Sequence, residues 1–153
     1  MGFISKGTFA SDLVFLVPNA TLYHFGVLES NVHMAWMRAV CGRLKSDYRY
    51  SKDVVYNNFP WPDCSAGAAP VAARTRENIA KTAQAILDAR AKYPDSSLAD
   101  LYDPNTMPYD LLEAHRANDR AVMTAYGFSM KLTESECVAK LLEMYSQLVK
   151  GSC

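Results

Sequence analysis

Apolar positions are spaced differently in successive stretches of this chain, and each spacing predicts a different element. From Thr8 to Val17 the residues are rich in β-branched and aromatic types and end at Pro18-Asn19, a turn signal, so a strand is expected there. Ser30 then offers an N-cap for a helix whose apolar face is Val32, Ala35, Trp36, Ala39 and Val40, at three-and-four spacing. Gly42 follows where a left-handed C-terminal residue is favoured. Beyond it Lys45, Asp47, Arg49 and Ser51 alternate with Ser46, Tyr48 and Tyr50, and in a strand those two sets face opposite ways.

At Pro60 to Pro70 the composition shifts to prolines and small residues, which suits a linker leaving a sheet for a helical region. Thr75 can cap a helix carrying Ile79, Ala83, Ile86 and Leu87 that must stop near Pro94. Pro108 suits a first helical turn, with Leu111, Ala114, Ala121, Val122 and Ala125 running on to a terminating Gly127. Thr133 and Glu136 make a capping box ahead of Val138, Leu141, Leu142, Tyr145 and Leu148. These three helices are expected to pack on one another. The predicted class is α+β, a small mixed strand and helix region ending near Pro62 and then a helical bundle.

At 153 residues the chain can build one full core or two small ones. Half of it is hydrophobic, yet no apolar run approaches the roughly 18 to 20 residues of a membrane helix. Its start lacks a signal peptide's basic head and continuous apolar centre. Cys41, Cys64, Cys137 and Cys153 are scattered like reduced thiols, so a cytoplasmic protein is expected.

Net formal charge is zero, but Arg38, Arg43, Lys45, Arg49 and Lys52 oppose only Asp47 and Asp53 between Arg38 and Pro62. A local patch of this kind can neutralise phosphates without a basic average, or it can be a solvated face. Enzyme signatures are missing: no G-x-S-x-G elbow, P-loop or G-x-G-x-x-G occurs, and no lysine has an acidic residue two places upstream. No catalytic residue is therefore assigned. The cysteines lack metal-ligand spacing and His24, His33 and His115 stand apart from them, so no metal site is expected. In Asn57-Asn58-Phe59-Pro60-Trp61-Pro62 the Asn-Pro-Pro-aromatic order of amino-methylating enzymes is broken, which leaves a strand end that packs Phe59 and Trp61. His115 and Asp119, four apart on one helix, suggest a surface contact, and Trp36 and Met37 suggest packing.

GRLKSDYRYS followed by VVYNNFPWP, with HMAWMR before and AHRANDRAVMTAYGF after, resembles the C-terminal part of the MmeI-like family of bacterial restriction-modification proteins. The resemblance covers nearly the whole chain. It implies that residues 1–64 are the end of a DNA target recognition domain and residues 65–153 a helical C-terminal domain. It also implies a longer parent protein with an adenine-N6 methyltransferase domain that binds S-adenosylmethionine, and a nuclease domain in some members, none of which this chain contains. Base reading in the major groove is implied for Lys45, Asp47 and Arg49, where relatives commonly carry Glu and Arg at the first two positions.

Side-chain chemistry is compatible with that role, since Lys donates to guanine O6 and N7 and Asp accepts from cytosine N4. The alternative is an exposed ion-pair ladder of little energy. Arg38, Arg43, Ser46 and Lys52 are assigned to the DNA backbone, with Arg38 having a second option in Glu29. Tyr48, Tyr50 and Tyr56 either touch sugar-phosphate or pack on the core. The expected function is sequence-specific recognition of double-stranded DNA. Competing readings are a helical protein-interaction domain whose basic strand is a solvated edge, and a single-stranded RNA binder that stacks bases on its tyrosines.

Overall fold

The computed structural model describes residues 1–4, 7–11, 14–45, 47–62 and 69–151. Two short helices come first. α1 (Leu22–Leu28) starts where the Thr21 amide donates to His24 Nδ1 at 3.1 Å. α2 (Asn31–Val40) is capped by Ser30 as its sequence predicts, the Ser30 hydroxyl accepting from the His33 amide and donating to the Val27 carbonyl at 2.7 Å. Val32, His33, Ala35, Trp36 and Met37 form its buried face.

An antiparallel hairpin follows, β1 (Gly42–Leu44) paired with β2 (Asp47–Arg49). Gly42 is a strand residue and not the left-handed helix terminator expected, because α2 leaves directly into extended backbone at Cys41. Lys52–Tyr56 form one π-helical turn where a continuing strand was expected, with Ser51 accepting from the Val54 amide. Trp36 Nε1 donates to the Val55 carbonyl at 2.9 Å and fixes that turn to α2. Phe59 and Pro60 then enter the core, and the Tyr126 hydroxyl donates to the Pro60 carbonyl at 2.8 Å.

α3 (Ala69–Ala91) begins well before Thr75, which lies inside it, and ends ahead of Pro94. α4 (Leu98–Leu101) is a short turn boxed by Ser97 and Asp100. α5 (Tyr109–Ala125) closes in the Schellman arrangement: Gly127 sits at φ +66°, its amide donates to the Thr124 carbonyl, and the Phe128 amide donates to the Met123 carbonyl. α6 (Glu134–Gly151) starts at the expected capping box, where the Thr133 amide donates to Glu136 Oε2 at 2.8 Å. Among the described residues no strand lies in 8–17. Phe9, Val14, Phe15 and Leu16 are exposed there, so that stretch has strand-forming residue types but no neighbouring strand to pair with.

The helices do not form a self-contained three-helix packet. α3 lies against α5 and α1, whereas α6 lies mainly against α2. One core cluster accordingly unites Trp36, Val55 and Phe59 with Ile79, Val122 and Leu141, and a second gathers Phe25, Ala83, Ile86 and Leu111. His115 and Asp119 do not meet as expected. His115 Nε2 bonds the Tyr102 hydroxyl at 2.6 Å, while Asp119 receives the Asn31 amide and side chain at 2.8 and 2.6 Å, capping α2 from α5. Burial raises the Asp119 pKa, and the bond from the Asn31 amide opposes that rise.

α1 crosses α3 so closely that Gly26 has no room for a side chain. A Cβ there would lie 2.7 Å from Ile79 Cγ2 and 2.9 Å from Asn118 Oδ1, and Asn118 is buried with its amide bonded to the Gly26 carbonyl at 2.7 Å. Gly26→Ala is expected to cost about 1–3 kcal/mol by forcing the helices apart. Urea unfolding checks this, and an unchanged midpoint would refute so close an approach.

Candidate nucleic-acid interface

The hairpin carries most of the basic residues that the sequence singled out. Its register pairs Gly42 with Arg49, Arg43 with Tyr48 and Leu44 with Asp47, and all six strand residues are exposed. A short loop joins Leu44 to Asp47, and its first residue, Lys45, adopts φ +57°. Tight hairpin loops need left-handed backbone, which glycine or asparagine adopts with least strain. A lysine at that point puts its ammonium at the tip while bearing a conformation L-residues disfavour. The expected alternation of Lys45 with Asp47 and Arg49 is therefore interrupted: Asp47 and Arg49 share one face of β2, and Lys45 belongs to the turn beyond it. Ser46 lies outside the described residues.

On the other face the Arg43 guanidinium lies 4.4 Å from the centre of the Tyr48 ring and donates to its hydroxyl at 3.0 Å. Lys52 and Asp53, both exposed and 3.7 Å apart, form a pair of the kind that contributes little. The surface thus combines Arg43, Lys45, Arg49 and Lys52 with Asp47 and Asp53.

A ribbon of three residues per strand is not stable alone, so its position depends on anchors at its foot. The Tyr50 hydroxyl and His33 Nε2 meet at 3.1 Å beneath it. His33 is fully buried in a T-shaped contact with the Phe59 ring, and desolvation pushes its pKa down to about 4, while burial pushes the Tyr50 hydroxyl up to about 12. Both groups stay neutral at pH 7. Arg38 does not reach Glu29; its Nε and Nη2 donate to the two carboxylate oxygens of Glu134 at 2.8 and 2.9 Å. That bond raises the Arg38 pKa and lowers that of Glu134. Glu29 pairs instead with Arg90 at 3.2 Å.

Trp36 and Met37 are core residues as expected, and Tyr50 packs against the same core. Sequence reasoning did not find Glu134, which is distant from Arg38 along the chain, nor the His33–Tyr50 anchor. Only the capping box beside Glu134 hinted that its position is fixed. Among the described residues no cluster of three or more His, Cys, Asp or Glu could hold a metal ion, and no helix is long and apolar enough to cross a membrane.

Comparison with known proteins gives consistent matches. Residues 1–63 match the family described as MmeI, target recognition domain, and residues 71–152 match MmeI, C-terminal domain. The chain is 37% identical over 150 residues to DNA methyltransferase A of Bacillus subtilis (strain 168), covering 98% of this chain and 16% of that protein. It is also similar to the solved structure of the type IIL restriction-modification enzyme MmeI in complex with DNA. There the identity is 45% and the TM-score 0.78, over 87% of this chain and 17% of that one. The chain thus spans about a sixth of the length of the relatives it matches.

Proposed function

Since the chain belongs to the MmeI family, as its target recognition and C-terminal domains, we propose that it reads double-stranded DNA with the β1–β2 hairpin. The observation that carries this reading is the exposed hairpin itself, with Asp47 and Arg49 on one face of β2 and Lys45 at the tip. A two-stranded ribbon fits the major groove, where a lysine donates to guanine O6 and N7 and an aspartate accepts from cytosine N4. Lys45 and Asp47 are assigned to one G·C pair, with Arg49 beside them. Arg43, Ser46 and Lys52 are assigned to phosphates, and Arg43 suits this because its guanidinium lies on the opposite face from Asp47. Arg38, the remaining residue the sequence assigned to the backbone, is left out of that set, because its Nε and Nη2 are both engaged by Glu134.

In this reading residues 1–64 supply the contacts and residues 65–153 buttress them. The parent protein is a bacterial, cytoplasmic adenine-N6 methyltransferase of a restriction-modification system, and its methyltransferase domain is this chain's partner. S-adenosylmethionine belongs to that domain. The groove between α3 and α5 in this chain, lined by Arg74, Glu77, Asn78 and Lys81, offers charged groups but no aromatic ring to sandwich an adenine, and so does not fit the cofactor.

The test is an exchange of roles. Lys45→Glu combined with Asp47→Arg is expected to turn a preference for G·C into one for C·G at a single position, a wrong base there costing about 1–3 kcal/mol. Arg43→Ala is expected to weaken all sequences alike and lower the salt slope. Affinity is measured for the full-length protein against duplexes with every base at each position. If the exchange weakens binding uniformly and leaves the ranking intact, Lys45 and Asp47 do not read bases.

A further inference from the structure

The face of β2 opposite Asp47 and Arg49, carrying Tyr48, looks onto a groove beside α2 and α6. Tyr48 lines that groove with Ala35, Arg38 and Ala39 of α2 and Glu134 and Val138 of α6. The two-pronged Arg38–Glu134 pair is part of that lining, and the Arg43 guanidinium lies over the Tyr48 ring. Glu134 is itself fixed, because it opens α6 immediately after Thr133 and inside the Thr133–Glu136 capping box. We propose that Glu134 is a positioning residue for DNA recognition: by gripping Arg38 with both carboxylate oxygens it fixes the groove wall that faces Tyr48, and so limits the angle at which the hairpin presents Lys45, Asp47 and Arg49. A residue of the C-terminal helical region thereby tunes base discrimination without touching DNA.

This role rests on the hairpin reading proposed above. It follows from the shortness of the strands, which cannot hold an orientation of their own, and from the planar fork of arginine, which makes a two-bond geometry that lysine cannot copy. Bidentate contacts to bases tolerate little tilt, so a slack support degrades discrimination before affinity.

The experiment selects binders from a pool of duplexes with a randomised core, using the full-length protein, and repeats the binding over a salt series. Glu134→Ala and, independently, Arg38→Lys are each expected to lose about tenfold in discrimination at the base pairs read by the hairpin, the scale of one base contact, with the salt slope unchanged. Exchanging the pair, Arg38→Glu with Glu134→Arg, is expected to restore the preference. Helical circular dichroism confirms that each variant is folded, and Arg38→Lys keeps the charge if Glu134→Ala is not. An intact ranking of bases in the folded variants overturns the proposal. So does a uniform rise in affinity with a steeper salt slope, which would make Arg38 a phosphate ligand that Glu134 restrains. A wild-type protein that ranks no duplex above another overturns the hairpin reading itself, and this role falls with it.

Discussion

Trp36→Ala is expected to lower stability by about 3–5 kcal/mol, enough to leave a domain of ordinary stability marginally folded. The indole is only 2% exposed and lies among the rings of Phe59 and Tyr145. Its removal empties a large volume between α2, α6 and the chain at Phe59. It also strips the Val55 carbonyl of its donor at a residue that is itself completely buried. Trp36→Phe separates the two losses. It refills most of the space and leaves the carbonyl unpaired, which is expected to cost about 1–3 kcal/mol. At this chain length the alanine variant corresponds to a fall in Tm on the order of 10–20 °C. Urea unfolding followed by far-ultraviolet circular dichroism checks both, independently of indole fluorescence. Equal midpoints for the phenylalanine and alanine variants would show that packing at this site contributes nothing measurable.

Acid is expected to loosen the fold before its carboxylates are protonated. Unfolded, His33 takes up a proton near its ordinary value of 6.5; folded, it does so only near 4, because charging it would bury a cation. Its Nδ1 meets no hydrogen-bond acceptor among the described residues. Between those values the unfolded state holds the extra proton. The His33 contribution is therefore constant above pH 6.5 and is lost as pH drops towards 4, by up to about 3 kcal/mol across the window. His115, also desolvated, acts in the same direction. The depressed carboxylates, Asp100, Asp110, Glu134 and Glu136, lose their contribution only at lower pH, whereas the raised pKa of Asp119 acts above its ordinary value and there offsets part of the histidine effect. Unfolding midpoints measured from pH 7 to 4.5 test this. If His33→Gln leaves the slope of stability against pH unchanged, the acid sensitivity lies elsewhere.

What could be read from the sequence is what short-range geometry decides. Ser30, the Thr133–Glu136 box and Gly127 each act within a few residues, and each stands where its chemistry requires. The basic hairpin region was visible for the same reason, as a local excess of charge. Failures came where partners are remote or missing. Thr8–Val17 has strand-forming residues but no strand beside it among the described residues. Gly42 has the local marks of a helix terminator because nothing nearby in sequence reveals that Leu44 pairs with Asp47, and that same pairing moves Lys45 out of the alternation and into a turn. Asp119 and His115 stand at helical spacing and Glu29 is close to Arg38 along the chain, yet Arg38 and Asp119 each bond a better-placed group on a different helix. The π-helical turn at Lys52–Tyr56 has no sequence signature of its own; it exists where Trp36 and the buried Val55 draw the chain inward.

Lys45, Asp47 and Arg49 belong to neither core cluster. Their replacement removes no packed volume, so mutations there escape the stability filter that eliminates most changes elsewhere in a folded chain. A lineage can therefore explore new side chains on this ribbon at nearly constant foldedness, and selection on those positions is left to whatever the ribbon touches. The anchoring residues His33, Trp36 and Tyr50 have no such freedom, and homologues should show a variable tip on an invariant base.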